Sequence, residues 1–586
     1  MKKLRRTLDN IMFLFRPAFK YGKVYFLLML VMQAIPNLVS SLIGVATPKI
    51  AIDGIMNGTP FGQIILSIGL IMLVQLVVGA ISTGVSYASQ GKQNEFSLMF
   101  TKLIIERAIK TDYKFLDKPE YYAKYQLTYQ QFSGSAQSMF MNLIQAAGSL
   151  LTCAAMFAVI AMLGPWVVLI VIAGTILQTI LNIKQAKIST SLNKEANDKM
   201  RGISYGSRML SERQYAADMK TSSMGRYVLG WIDTYTKWIY KIYTRFIKPQ
   251  VSINIASSIL NNLTTLGTIA YIVWGILNGK IGSIGDYAAL IAASGTLSAQ
   301  LRMFFSIITG MAQTSMQAEQ AREFFDLPSV IEPSTGETPP ETPLSVEFRD
   351  VSFAYPEAEF CLKNLSFKVA PGEKVAIVGE NGAGKSTMAK LLLRLYDVDG
   401  GAVLIDGEPI SHWDVHKLRK RVGIAFQDAN LYALTLRENL QYYYPEADDA
   451  VRLNALQTVG LDRLDDLEKT VSREFLEDGV MLSGGETQKL ALARLLVGEF
   501  GLMILDEPSS ALDPLAEYKM TKLMFDASKT TTIMVAHRLS TIRDADRIYL
   551  IDNGELKEQG THDELMAQGG KYAEMFTKQA ENYVKR

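Results

Sequence analysis

The stretch VGENGAGKST, residues 378–387, holds residue types that phosphate chemistry uses, at the spacing it needs. Gly379, Gly384, Lys385 and Ser386 satisfy G-x-x-x-x-G-K-[ST] behind the apolar run KVAIV, which predicts a strand, a glycine-rich loop and a helix start in that order. Glycines let backbone N–H groups close around phosphate oxygens at a helix N-terminus, the lysine reaches the outer phosphates, and the serine hydroxyl can bind Mg²⁺. Asn381 and Gly382 inside the loop and Thr387 just behind it belong to the same candidate set. The second half of such a site is LMILDE at 502–507, an apolar strand ending in two acids. There Asp506 would hold Mg²⁺, directly or through water, and Glu507 could polarise an attacking water. Alone, this would read as an ordinary strand with solvated acids at its end. The upstream loop argues for the site.

At 586 residues the chain exceeds what one core usually holds, so two or more domains are expected. Residues 328–343, PSVIEPSTGETPPETP, form a Pro, Thr and Glu linker without periodicity, with the phosphate motifs in a domain over 344–586 and a different domain over 1–327. Hydrophobic residues make up 48% of the chain and mean hydropathy is +0.11, yet 20% of residues are charged. One half is therefore oily and the other soluble. Lys plus Arg (60) nearly balances Asp plus Glu (58), so no basic excess argues for nucleic acid as a partner. Only Cys153 and Cys361 occur, which excludes a disulfide framework.

Six segments in the first half, near 24–46, 61–85, 138–161, 164–183, 252–277 and 285–311, are long enough to span about 30 Å of hydrocarbon, which takes roughly 20 helical residues. LGPW at 163–166 makes a tight hairpin of the third and fourth. The opening MKKLRRTLDNIMFLFRPAFKYGK reads as an uncleaved amphipathic helix at the membrane surface, its apolar piece interrupted by Arg16 and Pro17. With the N-terminus in the cytosol, the external loops near 47–60, 163–166 and 278–284 hold only Lys49 and Lys280, while 86–137 and 184–251 are rich in Lys and Arg. The positive-inside rule then puts both termini in the cytosol. Much of each internal stretch is expected to continue the membrane helices as rods. Amides such as Gln178, Asn261 and Gln300, and above all Arg302, need partners or a wet cavity inside the membrane. No acid lies at mid-membrane, which argues against proton or ion coupling.

LSGGETQKLALARLL at 482–496 resembles the signature of the ATP-binding cassette proteins, and the remaining motifs fall in that family's order. Tyr355 in FAYP matches the adenine-stacking aromatic, Gln427 in AFQD the Q-loop glutamine, SALD at 510–513 the D-loop with Asp513, and His537 in VAHRLS the switch histidine. The layout resembles an exporter-type half-transporter: an all-α six-helix transmembrane domain followed by an α/β P-loop cassette. This resemblance implies ATP and Mg²⁺ as cofactors. It also implies Glu507, His537 and Gln427 in catalysis, and Ser386, Gln427 and Asp506 around the metal. Two chains, a second copy of this one or a related half-transporter, would sandwich two ATP molecules, with Ser483, Gly484 and Gly485 reaching the γ-phosphate on the partner's loop. The implied function is ATP-driven export by alternating access, from the cytosol across the cell membrane, of a peptide, lipid or amphipathic small molecule.

An importer on the same scaffold and an ATP-gated channel or regulator are the alternatives; the fused helices argue against a soluble cassette acting on nucleic acid. The sequence departs from the usual pattern at Glu486, where Gln is commoner, and at Lys489, where Arg is usual. The coupling regions are expected near 115–126 and 212–225 from position alone. No peptidase domain is expected ahead of the membrane part.

Overall fold

The structure, a computed structural model, describes residues 2–278, 283–331, 336–356, 360–474, 477–508, 514–526, 530–536 and 538–584. The chain divides into two compact units, 1–109 with 119–327 and 110–118 with 328–586.

The first unit is helical. It comprises α1 (Lys2–Met56), α2 (Phe61–Ile109) and, beyond a short helix α3 (Tyr113–Leu116) that belongs to the other unit, α4 (Pro119–Leu163), α5 (Pro165–Ser211), α6 (Arg213–Thr221), α7 (Met224–Leu277) and α8 (Ile284–Phe325). Six of these, α1, α2, α4, α5, α7 and α8, contain stretches long and apolar enough to cross a membrane. Their outward faces match that solvent: Leu66, Leu70 and Leu76 of α2 are each more than half exposed. In water such a face would be an aggregation patch, whereas in hydrocarbon it costs nothing. At 54 residues α7 is about 80 Å long, far beyond the roughly 30 Å of hydrocarbon, so α7, like α2 and α5, continues past the membrane as a rod.

The first helix corrects two expectations. It runs unbroken through Pro17, Pro36 and Pro48, so the opening segment is part of the first long helix rather than a separate surface helix, and the loop expected at 47–60 shrinks to 57–60. A proline removes one backbone donor, and packing against neighbouring helices makes up the loss. The segment before Pro17 packs on other helices rather than lying alone on a surface. Buried Asn10 donates its side-chain amide to the Ser315 carbonyl on α8 at 3.2 Å, and Phe13 meets Phe325 edge to face at 5.8 Å. The hairpin at 163–166 is tighter still: Gly164 alone separates α4 from α5, with Pro165 in the first turn of α5. Lys280, expected in an external loop, lies outside the described residues.

The second unit begins with α3 and resumes at 328. Its elements are β1 (Val346–Ala354), β2 (Phe360–Val369), β3 (Lys374–Val378), α9 (Lys385–Leu392), β4 (Gly400–Ile405), β5 (Glu408–Pro409), α10 (Val415–Arg421), β6 (Val422–Ala425), α11 (Leu436–Leu440), α12 (Asp449–Thr458), α13 (Gly484–Leu496), β7 (Leu502–Asp506), α14 (Pro514–Asp526), β8 (Thr531–Val535), β9 (Arg547–Asp552), β10 (Glu555–Gly560), α15 (His562–Gln568) and α16 (Lys571–Val584). An antiparallel sheet has the order β2-β1-β4-β5, and a mostly parallel one the order β10-β9-β3-β8-β7-β6. The parallel sheet is covered on both faces, so its strands read as continuous apolar runs. Val375, Ile377, Ile504 and Val535 point into one core and Ala376, Val378, Leu505 and Met534 into the other, the two-residue alternation of a strand. Ligands of such sheets bind where the parallel strands end.

Candidate active site

Strand register brings the two halves of the site together. Val535 on β8 is opposite Ile377 of β3 on one side and Asp506 of β7 on the other, so the first acid lies level with the point where β3 runs into the glycine-rich loop. The loop itself admits no side chains at its critical points. Gly384 has φ +99°, and a Cβ there would sit 2.6 Å from Leu362 Cδ2 and 2.9 Å from the Cys361 carbonyl oxygen. A Cβ on Gly379 would sit 2.1 Å from the Ile551 carbonyl oxygen. Loop and sheet therefore touch backbone to backbone, leaving the N–H groups of the first turn of α9 free of side-chain cover.

Lys385 is buried and donates to the carbonyl oxygens of Gly379 and Glu380 at 2.9 and 3.1 Å. Burial lowers its pKa, against the opposing pull of Glu507 and Asp506. An incoming phosphate would relieve that desolvation by giving the ammonium a full counter-charge. Ser386 donates its hydroxyl to Asp506 Oδ1 at 3.1 Å, and burial raises the pKa of Asp506. Past the ends of β6 and β7, Gln427 Nε2 donates to Glu507 Oε2 at 2.9 Å. Glu507 is held in the left-handed region at φ +48°, and its backbone N–H reaches the Val535 carbonyl at 3.0 Å. A non-glycine residue there is strained, which aims its carboxylate away from the strand direction.

The donors Ser386, Asp506 and Gln427 are all oxygen-bearing, the chemistry of a hard cation such as Mg²⁺. Among the described residues no cluster of three His, Cys, Asp or Glu side chains could hold a metal by itself. That fits Mg²⁺, which usually keeps waters and shares its coordination with substrate phosphates.

The Tyr355 and Thr387 hydroxyls share a hydrogen bond of 3.2 Å. The Tyr355 ring meets Tyr396 at 5.4 Å and 90°, and the Lys390 ammonium sits 5.2 Å from its centre. Nothing in the sequence marks Tyr396 and Lys390, which are ordinary residues of a helix and the turn after it; only the fold brings them to the aromatic.

The signature lies at the start of α13. Ser483 caps the helix, accepting from the Glu486 backbone N–H, while Glu486 Oε2 accepts from the Ser483 N–H at 2.9 Å and from its hydroxyl at 3.0 Å. Gly484 and Gly485 form the first turn. The departure at Glu486 has a partner the sequence did not reveal: Arg463 donates to Glu486 Oε1 from Nε and Nη2 at 2.9 and 2.6 Å. The Ser483 backbone N–H first, and the Arg463 guanidinium next, hold the Glu486 pKa below its usual range. Asp513, with the rest of SALD, and His537 lie outside the described residues.

The expected coupling regions sort differently. Residues 110–118 belong to the cassette unit, whereas 119–126 open α4 in the other. Asp112 accepts the backbone N–H groups of Val330 and Ile331 at 2.9 and 3.2 Å, Tyr113 packs edge to face on Tyr396 at 5.7 Å, and the Tyr396 hydroxyl donates to Asp117. The second region contains α6, a separate short helix between α5 and α7.

Residues 362–510 match the family described as ABC transporter. A solved structure of a bacterial Atm1-family ABC exporter with ATP bound superimposes with a TM-score of 0.82 at 26% identity, over 96% of this chain and 98% of that one. Among curated relatives, a beta-(1→2)glucan export ATP-binding/permease protein of Nitrobacter winogradskyi is 38% identical over 53% of this chain and 52% of its own length. An ATP-dependent lipid A-core flippase of Alcanivorax borkumensis is 31% identical over 58% and 59%. The chain thus spans about half the length of the curated relatives it matches. Fold and site together define an ATP-binding cassette fused behind six candidate membrane spans. Residues 362–510 carry the ABC transporter domain, and the fold of the chain is that of an ABC exporter.

Proposed function

We propose that this chain is an ATP-hydrolysing exporter that works by alternating access, with both termini and the cassette in the cytosol. The observation that carries this reading is the coupled pair of contacts behind the glycine-rich loop, Ser386 to Asp506 and Gln427 to Glu507, in a chain whose other unit has six apolar spans. In this reading the loop N–H groups from Gly379, Asn381, Gly382 and Gly384, with Lys385 and Thr387, hold the phosphates. Tyr355 stacks on the base. Ser386, Asp506 and Gln427 hold Mg²⁺, which when bound neutralises charge on the phosphate oxygens. Glu507 takes the proton of the attacking water, Gln427 orients its carboxylate, and His537 steadies the γ-phosphate.

A second copy of the chain, or a related half-transporter, completes each site through Ser483, Gly484, Gly485 and Asp513. ATP favours the closed pair of cassettes because it binds that state more tightly than the open one, and hydrolysis removes the preference. Residues 1–327, apart from 110–118, form the membrane domain, 328–343 the linker and 344–586 the cassette, which 110–118 joins. The cargo is a peptide, a lipid or an amphipathic small molecule; of the relatives, one is named for a lipid, lipid A-core, and another for a glucan.

The test is reconstitution into liposomes with ATP supplied only outside, offering a dansylated peptide, a fluorescent phospholipid and Hoechst 33342. ATP-dependent movement of one of them from the cassette side to the far side, absent in Lys385→Ala, is expected. Movement in the opposite sense would make the chain an importer, and steady flux without ATP turnover would make it a channel.

A further inference from the structure

The first unit contains a cavity of about 170 Å³ between α7 and α8, lined by Asn261, Thr264, Thr268, Ser294, Ser298 and Arg302. We infer that this cavity binds the oxyanion head group, carboxylate or phosphate, of an amphipathic molecule through the Arg302 guanidinium. The inference rests on the transport reading, since it assigns a chemistry to the cargo.

An arginine within a membrane span is costly unless something answers its charge. Nothing lining the cavity does. Its residues are amide, hydroxyl, apolar or glycine, with no carboxylate among them. The acids of these two candidate spans are committed or remote: on α8 Asp286 is bound by Lys49, with Asp53 of α1 3.9 Å from the same ammonium, and on α7 Asp233 lies 28 residues from Asn261, about 42 Å along the axis. Asp286 lies sixteen residues before Arg302 on α8, about 24 Å along the axis.

The protein partner Arg302 does have is neutral. The guanidinium donates to Asn261 Oδ1, which fixes the amide so that its NH₂ group points the other way, as a further donor. Thr264, Thr268 and Ser294 donate to carbonyls of their own helices at 2.8 to 2.9 Å, and such hydroxyls can turn toward an occupant. A cationic fork with adjacent donors and no acid is the donor set that carboxylate and phosphate require.

The position sets the rest of the ligand. Arg302 is six residues from the end of its candidate span at Ile308, about 9 Å, while Ile291, eleven residues earlier and about 16.5 Å along the helix, and Ile269 line the far end of the cavity. The charged end is therefore near one membrane face and the apolar end past the middle of the span, the polarity of an amphiphile lying along the helices.

The test uses the full chain in lipid nanodiscs without ATP, titrated with 11-(dansylamino)undecanoate and with its neutral methyl ester, after subtraction of empty nanodiscs. The carboxylate should bind about tenfold tighter than the ester, a preference Arg302→Gln should abolish while ester binding persists. Asn261→Asp, which keeps the arginine but supplies an internal counter-ion, should abolish the preference as well. Equal binding of acid and ester to the unaltered chain, or a preference that survives Asn261→Asp, overturns the inference and identifies Arg302 as a residue that only reaches for the membrane face. Displacement of the probe by sodium acetate at about 10 mM would overturn the amphiphile half, since the site would then take a free anion. Because no transport is measured, a negative result leaves the exporter reading intact.

Discussion

In the cassette, β3, β7 and β8 are almost wholly buried, and charge collects at and beyond their C-terminal ends, at Lys385, Asp506 and Glu507. In the membrane unit the distribution is reversed: α2 exposes Leu66, Leu70 and Leu76, and polar groups such as Gln178 and Asn261 turn to neighbours, Gln178 to Ser257 and Asn261 to Arg302. Water surrounds one unit, so apolar groups go in and charge collects at the rim. Hydrocarbon surrounds the other, so apolar faces cost nothing outside and every polar group must find a partner within. A functional site in the first is a set of strand ends, and in the second a pocket among helices. Changes at the strand ends should therefore act on chemistry and leave the membrane unit intact.

The sharpest contrast is expected from Glu507→Gln. The amide retains the Gln427 contact region but cannot take a proton, so ATP hydrolysis by the full chain should fall by roughly 10²-fold or more while ATP binding persists. Turnover within a few-fold of the unaltered chain would remove Glu507 as the base.

Gly384→Ala should come next. It forces a side chain into φ +99° and against Leu362 and Cys361, a strain of about 1–3 kcal/mol, so ATP affinity should drop roughly 5- to 100-fold. By contrast Gly69→Ala, in the exposed part of α2 with open space at the Cβ, should leave affinity unaltered. Equal losses from both would show that the two units do not separate as described. Nucleotide titration with a fluorescent ATP analogue reads both.

Tyr396→Phe should have a narrower effect, confined to one segment. It removes the hydroxyl that holds Asp117, a bond to a charged acceptor contributing about 1.5–3 kcal/mol, from the segment by which the cassette unit keeps 110–118. Amide exchange over 112–117 should rise while that of β3 stays the same. No change at 112–117 would mean that Asp112 and the Tyr113 ring hold the segment without help.

The glycine-rich loop, the acid pair and the signature were legible because each is a contiguous run in which backbone geometry itself demands particular residues. Six spans were legible because hydrocarbon imposes a length. What the sequence concealed were pairings across long separations: Arg463 with Glu486, Tyr396 with Asp117, Lys390 over Tyr355, and residues 110–118 joining the cassette. No local pattern marks such partners. The opening segment misled in the opposite sense, since an amphipathic run that reads as a surface helix packs Asn10 and Phe13 on α8.

The smallest expected effect concerns Glu486, which combines a rim charge with a helix cap. The Ser483 N–H and Arg463 both stabilise its ionised form, so its pKa in the folded chain is below that in the unfolded chain, near 4.3. A group with a depressed folded pKa adds stability above its unfolded pKa and loses it as pH falls through the folded value. Glu486→Gln keeps an acceptor for the Ser483 N–H but gives Arg463 no charge. At pH 7 the unaltered chain should therefore protect amides 484–488 from exchange more than the variant does, by about 0.5–1 kcal/mol, after correction for intrinsic rates. That margin should shrink below about pH 4 and vanish once the carboxylate is protonated. A margin independent of pH would mean that the Arg463 contact contributes by shape and not by charge. Glu486 would then act on the signature only as the glutamine does.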